Sequence, residues 1–171
     1  MSLIEDFQTR VLPIKDKLYR FALRIVEDDS EAKDVVQEVF IKVWNRREEM
    51  HLYKNMEAWC MRLTRNLSID KLRSKHRRVV PLETSTAMPQ TDTTPYQQAA
   101  MKDTVDYIRH LMESLPLKQK MVMQLRDIEG MSYQEIADAL EIPLNQVKVN
   151  LFRARKTIRQ QLIQSESYGL Q

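Results

Sequence analysis

The 171-residue sequence predicts an all-α protein: two small helical domains joined by a flexible linker, the second domain carrying a helix-turn-helix. Three observations predict it. Only 2 Gly accompany a composition dominated by Leu, Met, Ala, Gln, Glu, Lys and Arg, which favours helix over turn-rich β structure. Apolar residues recur at spacings of three and four along most of the chain. That period stops between Val79 and Ala100, where PLETSTAMPQTDTTPYQQ holds three Pro, five Thr and no basic residue. Such a segment offers too little periodic apolar surface to offset the entropy of ordering. The expected boundaries are therefore 1–78, a linker over 79–100, and 101–171.

Phe7, Val11, Ile14, Leu18, Phe21 and Ile25 mark one face of a first helix. Glu27-Asp28-Asp29-Ser30 ends it and offers caps for the next. A second helix is expected over Asp34 to Arg47, with Val36, Val39, Phe40 and Val43 inward and Asp34, Gln37, Glu38, Ile41 and Asn45 on another face. A third runs from about Met56 to Arg73 with Met56, Cys60, Leu63 and Leu67 inward. Helical pattern resumes near Met101, through Val105, Ile108, Leu111, Met112 and Leu115. Ser114-Leu115-Pro116 separates it from a helix bearing Met121, Val122, Leu125 and Ile128, which Gly130 stops.

Ser132 to Arg159, SYQEIADALEIPLNQVKVNLFRARKTIR, has the layout of a DNA-reading helix-turn-helix. Ser132 and Glu135 have the spacing of a capping box. Pro143 prevents the first helix from continuing, because it lacks an N–H and restricts its predecessor. The second helix turns Val147 and Leu151 inward and carries Lys148, Arg153, Arg155, Lys156 and Arg159, with no acid between Glu141 and Glu166. Glu141 occupies the turn position often filled by Gly, which carries a cost if positive φ is required there. A basic amphipathic helix also occurs as a plain solvated face, so this segment alone leaves both readings open.

The net charge of +3 is weak evidence for nucleic acid; its distribution says more. Arg62 to Arg78 holds seven basic residues against one acid, Asp70. Two separated basic segments are the electrostatic footprint of a nucleic-acid binder. The single Cys60 cannot form an intramolecular disulfide and suits a core position in a reducing cytoplasm. The sequence shows neither a signal-peptide pattern at its start nor a membrane-length apolar run. His51, His76 and His110 lack ligand spacing and no Gly-rich phosphate loop occurs, so no metal, cofactor or enzymatic site is expected.

Three stretches resemble one family, in its order: DVVQEVFIKVW (Asp34 to Trp44), AWCMRLTRNLSIDKLR (Ala58 to Arg73) and Ser114 to Arg159. The chain is similar to bacterial RNA polymerase sigma factors of the small extracytoplasmic-function type. The resemblance implies an alternative sigma factor that binds core RNA polymerase, through its beta and beta-prime subunits, and directs initiation at promoters. The first domain would read and open the minus-10 element and the second would read the minus-35 element. It also implies an anti-sigma partner, often membrane-bound in the family.

On that resemblance, Asp34, Gln37, Glu38 and Ile41 would face the polymerase clamp, while Phe40 and Trp44 suit the core. Asn66 would hold an unstacked minus-10 base beside Asp70, since an amide both donates and accepts. Arg62, Arg65, Lys71, Arg73, Lys75, Arg77 and Arg78 would track the phosphates of the separated strand. Trp59 suits core packing better than a stacking wedge. Lys148, Val149, Phe152 and Arg153 would lie in or near the major groove, with guanine edges and phosphates both open to Lys148 and Arg153. Arg155, Lys156 and Arg159 would hold phosphates. Val149 and Asn150 depart from the small or basic residues of many relatives. The rival reading is a free-standing helix-turn-helix regulator, which leaves Asp34 to Arg78 unexplained.

Overall fold

The computed structural model describes residues 2–79 and 104–169, with side chains over 2–77 and 106–165. The expected linker, apart from Val79, and the expected helix start at Met101 lie outside them. Every regular element among the described residues is helical.

α1 spans Leu3–Arg10 and opens on a capping box in which Ser2 and Glu5 satisfy each other's backbone N–H. The periodicity predicts one helix from Phe7 to Ile25; the structure instead breaks it at Pro13. A single 3-10 turn, Leu12–Ile14, leads into α2, Lys15–Val26. The missing proline N–H and the ring's steric demand account for the break. Glu27 ends α2 in the left-handed region at φ 57°. Asp28 then caps α3, Asp29–Asn45, by accepting from the Glu31 N–H at 2.9 Å. α3 thus starts five residues before the expected Asp34, because the cap and not the first apolar residue fixes a helix start.

A 3-10 turn over Arg47–Leu52 follows. Arg10 fastens it by donating to the Met50 and Tyr53 carbonyls at 3.1 and 2.7 Å. α4 is longer than its apolar stripe predicts, Met56–Val79. Its basic second half needs no core to remain helical, since Arg, Lys and Leu are good helix formers. Met61, Thr64 and Ser68 form the buried line of α4, with Leu63 and Leu67 only partly covered.

In the second half, α5 spans Thr104–Met112 and α6 Leu117–Met123. α6 widens into a π-helical turn over Gln124–Ile128 before Gly130 reverses the chain at φ 76°. The helix-turn-helix comprises α7, Tyr133–Leu140, and α8, Leu144–Gly169. The Ser132–Glu135 capping box forms as the spacing predicts, and Glu141 does adopt positive φ, at 56°.

The halves pack together. Leu18, Phe21 and Ile25 of α2, Val35 and Val39 of α3 and Met61 of α4 join one buried cluster with Met121, Leu125, Ile136, Leu140 and Leu151. Fully burying side chains of this size contributes about 1.5–3 kcal/mol each. A second cluster, Met112, Leu115, Met123, Ala154 and Ile158, fastens α5 across α8.

Candidate nucleic-acid interface

Because α3 turns Ala32, Val35, Val36, Val39 and Val43 inward, its opposite face is left to solvent. Asp34, Gln37, Glu38 and Ile41 all lie there exposed, Ile41 at 59%. Phe40 and Trp44 are partly buried and meet the Phe7 ring edge-on at 5.9 and 5.5 Å. A cleft of about 410 Å³ between α2 and α3 borders this face, lined in part by Tyr19, Lys33, Gln37 and Phe40.

On α4, Asn66, Asp70, Arg73, Lys75 and Arg77 are exposed and Lys71 half-buried; the side chain of Arg78 falls outside the described ones. Arg62 and Arg65 point elsewhere, at the carboxyl end of α7. Arg62 donates from Nε and Nη2 to the Asp138 carbonyl at 3.1 and 2.6 Å. Arg65 donates to the Leu140 carbonyl and, at 3.1 Å, to the Glu141 carboxylate. The two carbonyls are among the acceptors that a helix end leaves without intrahelical partners, and they carry its partial negative charge. Arg65 also donates to Asn66 Oδ1 at 3.0 and 2.7 Å, which fixes the amide's orientation. Trp59 is buried and stacks on Tyr53 at 4.0 Å, in keeping with a packing role.

α8 buries Val147, Leu151, Ala154 and Ile158, and thereby presents Lys148, Phe152, Arg153, Lys156 and Arg159 outward. Phe152 is 68% exposed, a large apolar ring held in water on a basic face. Val149 is half-buried. Asn150 is buried and donates back to the Gln146 carbonyl at 2.8 Å, so this departure from the relatives faces inward. Arg155 forms a two-point pair with Asp127 at 3.1 and 2.5 Å. That pair raises its pKa and ties α8 to the π turn.

Sequence reasoning missed the polar contacts that join the halves. Arg20 grips Glu129, Lys120 meets Glu27 at 3.1 Å, and Asn55 donates to Glu135 at 2.8 Å. The Asn55 hydrogen bond holds the Glu135 carboxyl below its ordinary range. No local pattern marks these residues, because each pair forms only when the two halves meet. Among the described residues, no His/Cys/Asp/Glu group could hold a metal ion, and no helix is long and apolar enough to cross a membrane.

An exposed face on α3 bearing Asp34 and Glu38, a basic α4 and a helix-turn-helix whose second helix turns Lys148 and Arg153 outward share one all-α chain, the layout of a DNA-binding transcription factor. Residues 11–78 match the model of Sigma-70 region 2 and residues 106–158 that of Sigma-70, region 4. The chain belongs to the extracytoplasmic-function RNA polymerase sigma factors. It is 31% identical over 144 residues to SigL of Mycobacterium tuberculosis, covering 83% of this chain and 80% of that protein. It is 29% identical over 157 residues to SigW of Bacillus subtilis, covering 86% and 84%. The fold is that of the sigma factor RpoE from Bartonella quintana, solved with the anti-sigma factor NepR. The TM-score is 0.72 at 21% identity, over 92% of this chain and 97% of that one. The protein is an alternative sigma factor that directs promoter-specific transcription; the free-standing regulator is not favoured, since both family regions are present.

Proposed function

We propose that the three exposed surfaces divide the sigma-factor task among themselves. Residues 1–78 act as the polymerase and minus-10 unit, 79–100 as a linker and 101–171 as the minus-35 unit. The observation that carries this is the sidedness of α3: its apolar face is fully used in the core, leaving Asp34, Gln37, Glu38 and Ile41 together and exposed. An exposed isoleucine ringed by acids and an amide suits a basic coiled-coil partner, the polymerase clamp. The basic length of α4 would hold the separated minus-10 strand, with Asn66 and Asp70 at the captured base. Lys148, Val149, Phe152 and Arg153 would face the minus-35 major groove, with Arg155, Lys156 and Arg159 on phosphates. Arg155 pairs with Asp127 in the free protein, so a phosphate contact there would have to share or displace that carboxylate.

Each DNA contact alone is weak; linkage through polymerase raises the combined affinity. The protein acts by binding, in the cytoplasm, with no catalytic step of its own. The Bartonella relative was solved with an anti-sigma factor, and a partner of that kind is proposed here too. Gel filtration with bacterial core polymerase tests the central assignment. Stoichiometric co-elution is expected, and Asp34→Lys with Glu38→Lys should abolish it. Co-elution that survives this double reversal removes α3 from the interface.

A further inference from the structure

The second half of α4 is basic, and helix formation there asks for no apolar side chain, since Arg and Lys are good helix formers. Yet Ile69 and Leu72 lie on it, on the face that also carries Arg65 and Arg73. Both stay half-buried at the edge of the core. Leu117 of α6 and Ile142, just after α7, face them and are half-buried too. Together they line a groove of about 340 Å³. That volume falls among ordinary small-molecule sites, ~300–1,000 Å³.

The charges at this groove have one sign, because Arg65, Arg73 and Lys118 line it and no acid does. Arg65 is satisfied within the protein by the Leu140 carbonyl and the Glu141 carboxylate. Arg73 and Lys118 are exposed and have no partner among the described residues. Lys118 is the second residue of α6, where a cation opposes the helix dipole. Local helix stability therefore gives no reason for a lysine there.

We infer that the groove between α4 and α6 binds an amphiphilic carboxylate, a medium-chain fatty acid. Its acyl chain lies along Ile69, Leu72, Leu117 and Ile142, and its head group is held by Arg73 and Lys118.

The lining selects this class of ligand. Nucleotides and other flat ligands favour rings to stack on, and no aromatic ring lines the groove. An aliphatic chain needs only apolar walls that adapt to it. The buried Met121 supplies such a wall, since its unbranched thioether fills irregular gaps. Two unpaired cations suit one carboxylate by charge-assisted hydrogen bonds. A neutral amphiphile leaves them unused and a cationic one is repelled. Because the walls come from α4 on one side and α6 and α7 on the other, the bound acid stabilises the folded protein by mass action.

Isothermal titration calorimetry of the full-length protein with sodium dodecanoate, below micelle formation and at neutral pH, tests this. One saturable site per chain is expected. Octanoate should bind at least about ten-fold more weakly, since each buried methylene adds affinity. Dodecyltrimethylammonium, the same tail with a cationic head, should not compete. Lys118→Glu should weaken dodecanoate at least about ten-fold. Lys42→Glu, an equal charge change at an exposed position of α3, should leave it unaltered. Leu72→Trp from one wall and Ile142→Phe from the other should each plug the groove and abolish binding, with circular dichroism checking the fold. Lys118 is exposed, so its variant decides the matter even if a plug unfolds the protein. No single saturable site below about 1 mM overturns the inference. Equal binding by wild type and Lys118→Glu overturns it, as does binding that survives both plugs in folded protein. Self-association in sedimentation that the plugs abolish and dodecanoate does not relieve gives the groove to a second copy of the chain instead.

Discussion

Both carboxylate oxygens of Glu129, whose side chain has no solvent exposure, are held by the Arg20 guanidinium from the other half of the molecule, at 2.9 and 2.6 Å. The π turn over Gln124–Ile128 rotates Glu129 into that position and brings the Gln124 amide to the same carboxylate at 2.9 Å. Removing one partner of a buried pair strands the other charge. Arg20→Ala should therefore destabilise the protein by about 2–3 kcal/mol, at or below the ~3–5 kcal/mol for breaking a fully buried pair, because Arg20 is itself 40% exposed. Urea unfolding measures it. Adding Glu129→Gln should recover part of the loss, since an amide costs less to bury alone than a carboxylate.

The recognition helix gives a second expectation. Lys148 and Arg153 are both exposed on α8. Replacing them with Ala should weaken minus-35 promoter binding by polymerase holoenzyme at least about ten-fold, at about 1–3 kcal/mol per specific contact. Co-elution with core polymerase should persist. Each of the two that rests on a phosphate should also lower the salt slope of log affinity by about one; a guanine contact leaves it unchanged. Filter binding across a salt series separates the two roles.

Acid should loosen the junction in a stated direction. The Asn55 hydrogen bond depresses the folded pKa of Glu135 below the ordinary 4.5 of a free glutamate. A depressed carboxyl contributes stability that is present above the unfolded pKa and is lost as pH falls through the folded one. Stability from Glu135 should therefore fade only below about pH 4.5. Glu135→Gln keeps the capping-box pattern and removes the titration. The difference in urea midpoint between wild type and variant should shrink as pH drops from 5 to about 3.

Cys60 is fully buried, and burial pushes its thiol up to about 12. The thiolate is the reactive form. Ellman's reagent should find no reactive thiol in the native protein at pH 8 and one per chain in denaturant. Rapid native reaction would mean that the core around α4 opens.

Much of the architecture was legible locally. The Ser132–Glu135 cap, the buried Val147 and Leu151 and the buried Cys60 all follow from residues a few positions apart; the positive φ at Glu141 was left open by the sequence. The helix break at Pro13 and the early start of α3 at Asp29 were not read, because the apolar period continues across the first and begins after the second. Exposure of Asp34, Glu38, Lys148 and Arg153 was legible from helical phase. The engagement of Arg62, Arg65 and Arg155 was not, since a basic residue reads the same whether it faces water, DNA or a carboxylate.

By itself, then, the sequence determined the all-helical class, the helix-turn-helix and the family, since caps, period and motif order depend on near neighbours. Only the tertiary structure decided that Arg20 would meet Glu129 across 109 positions and Arg62 would meet Asp138 across 76. Such pairs are set by how two apolar faces dock and by one π turn that redirects a side chain. Neither leaves a periodic trace in the chain, because the geometry that joins the partners arises only when the helices pack.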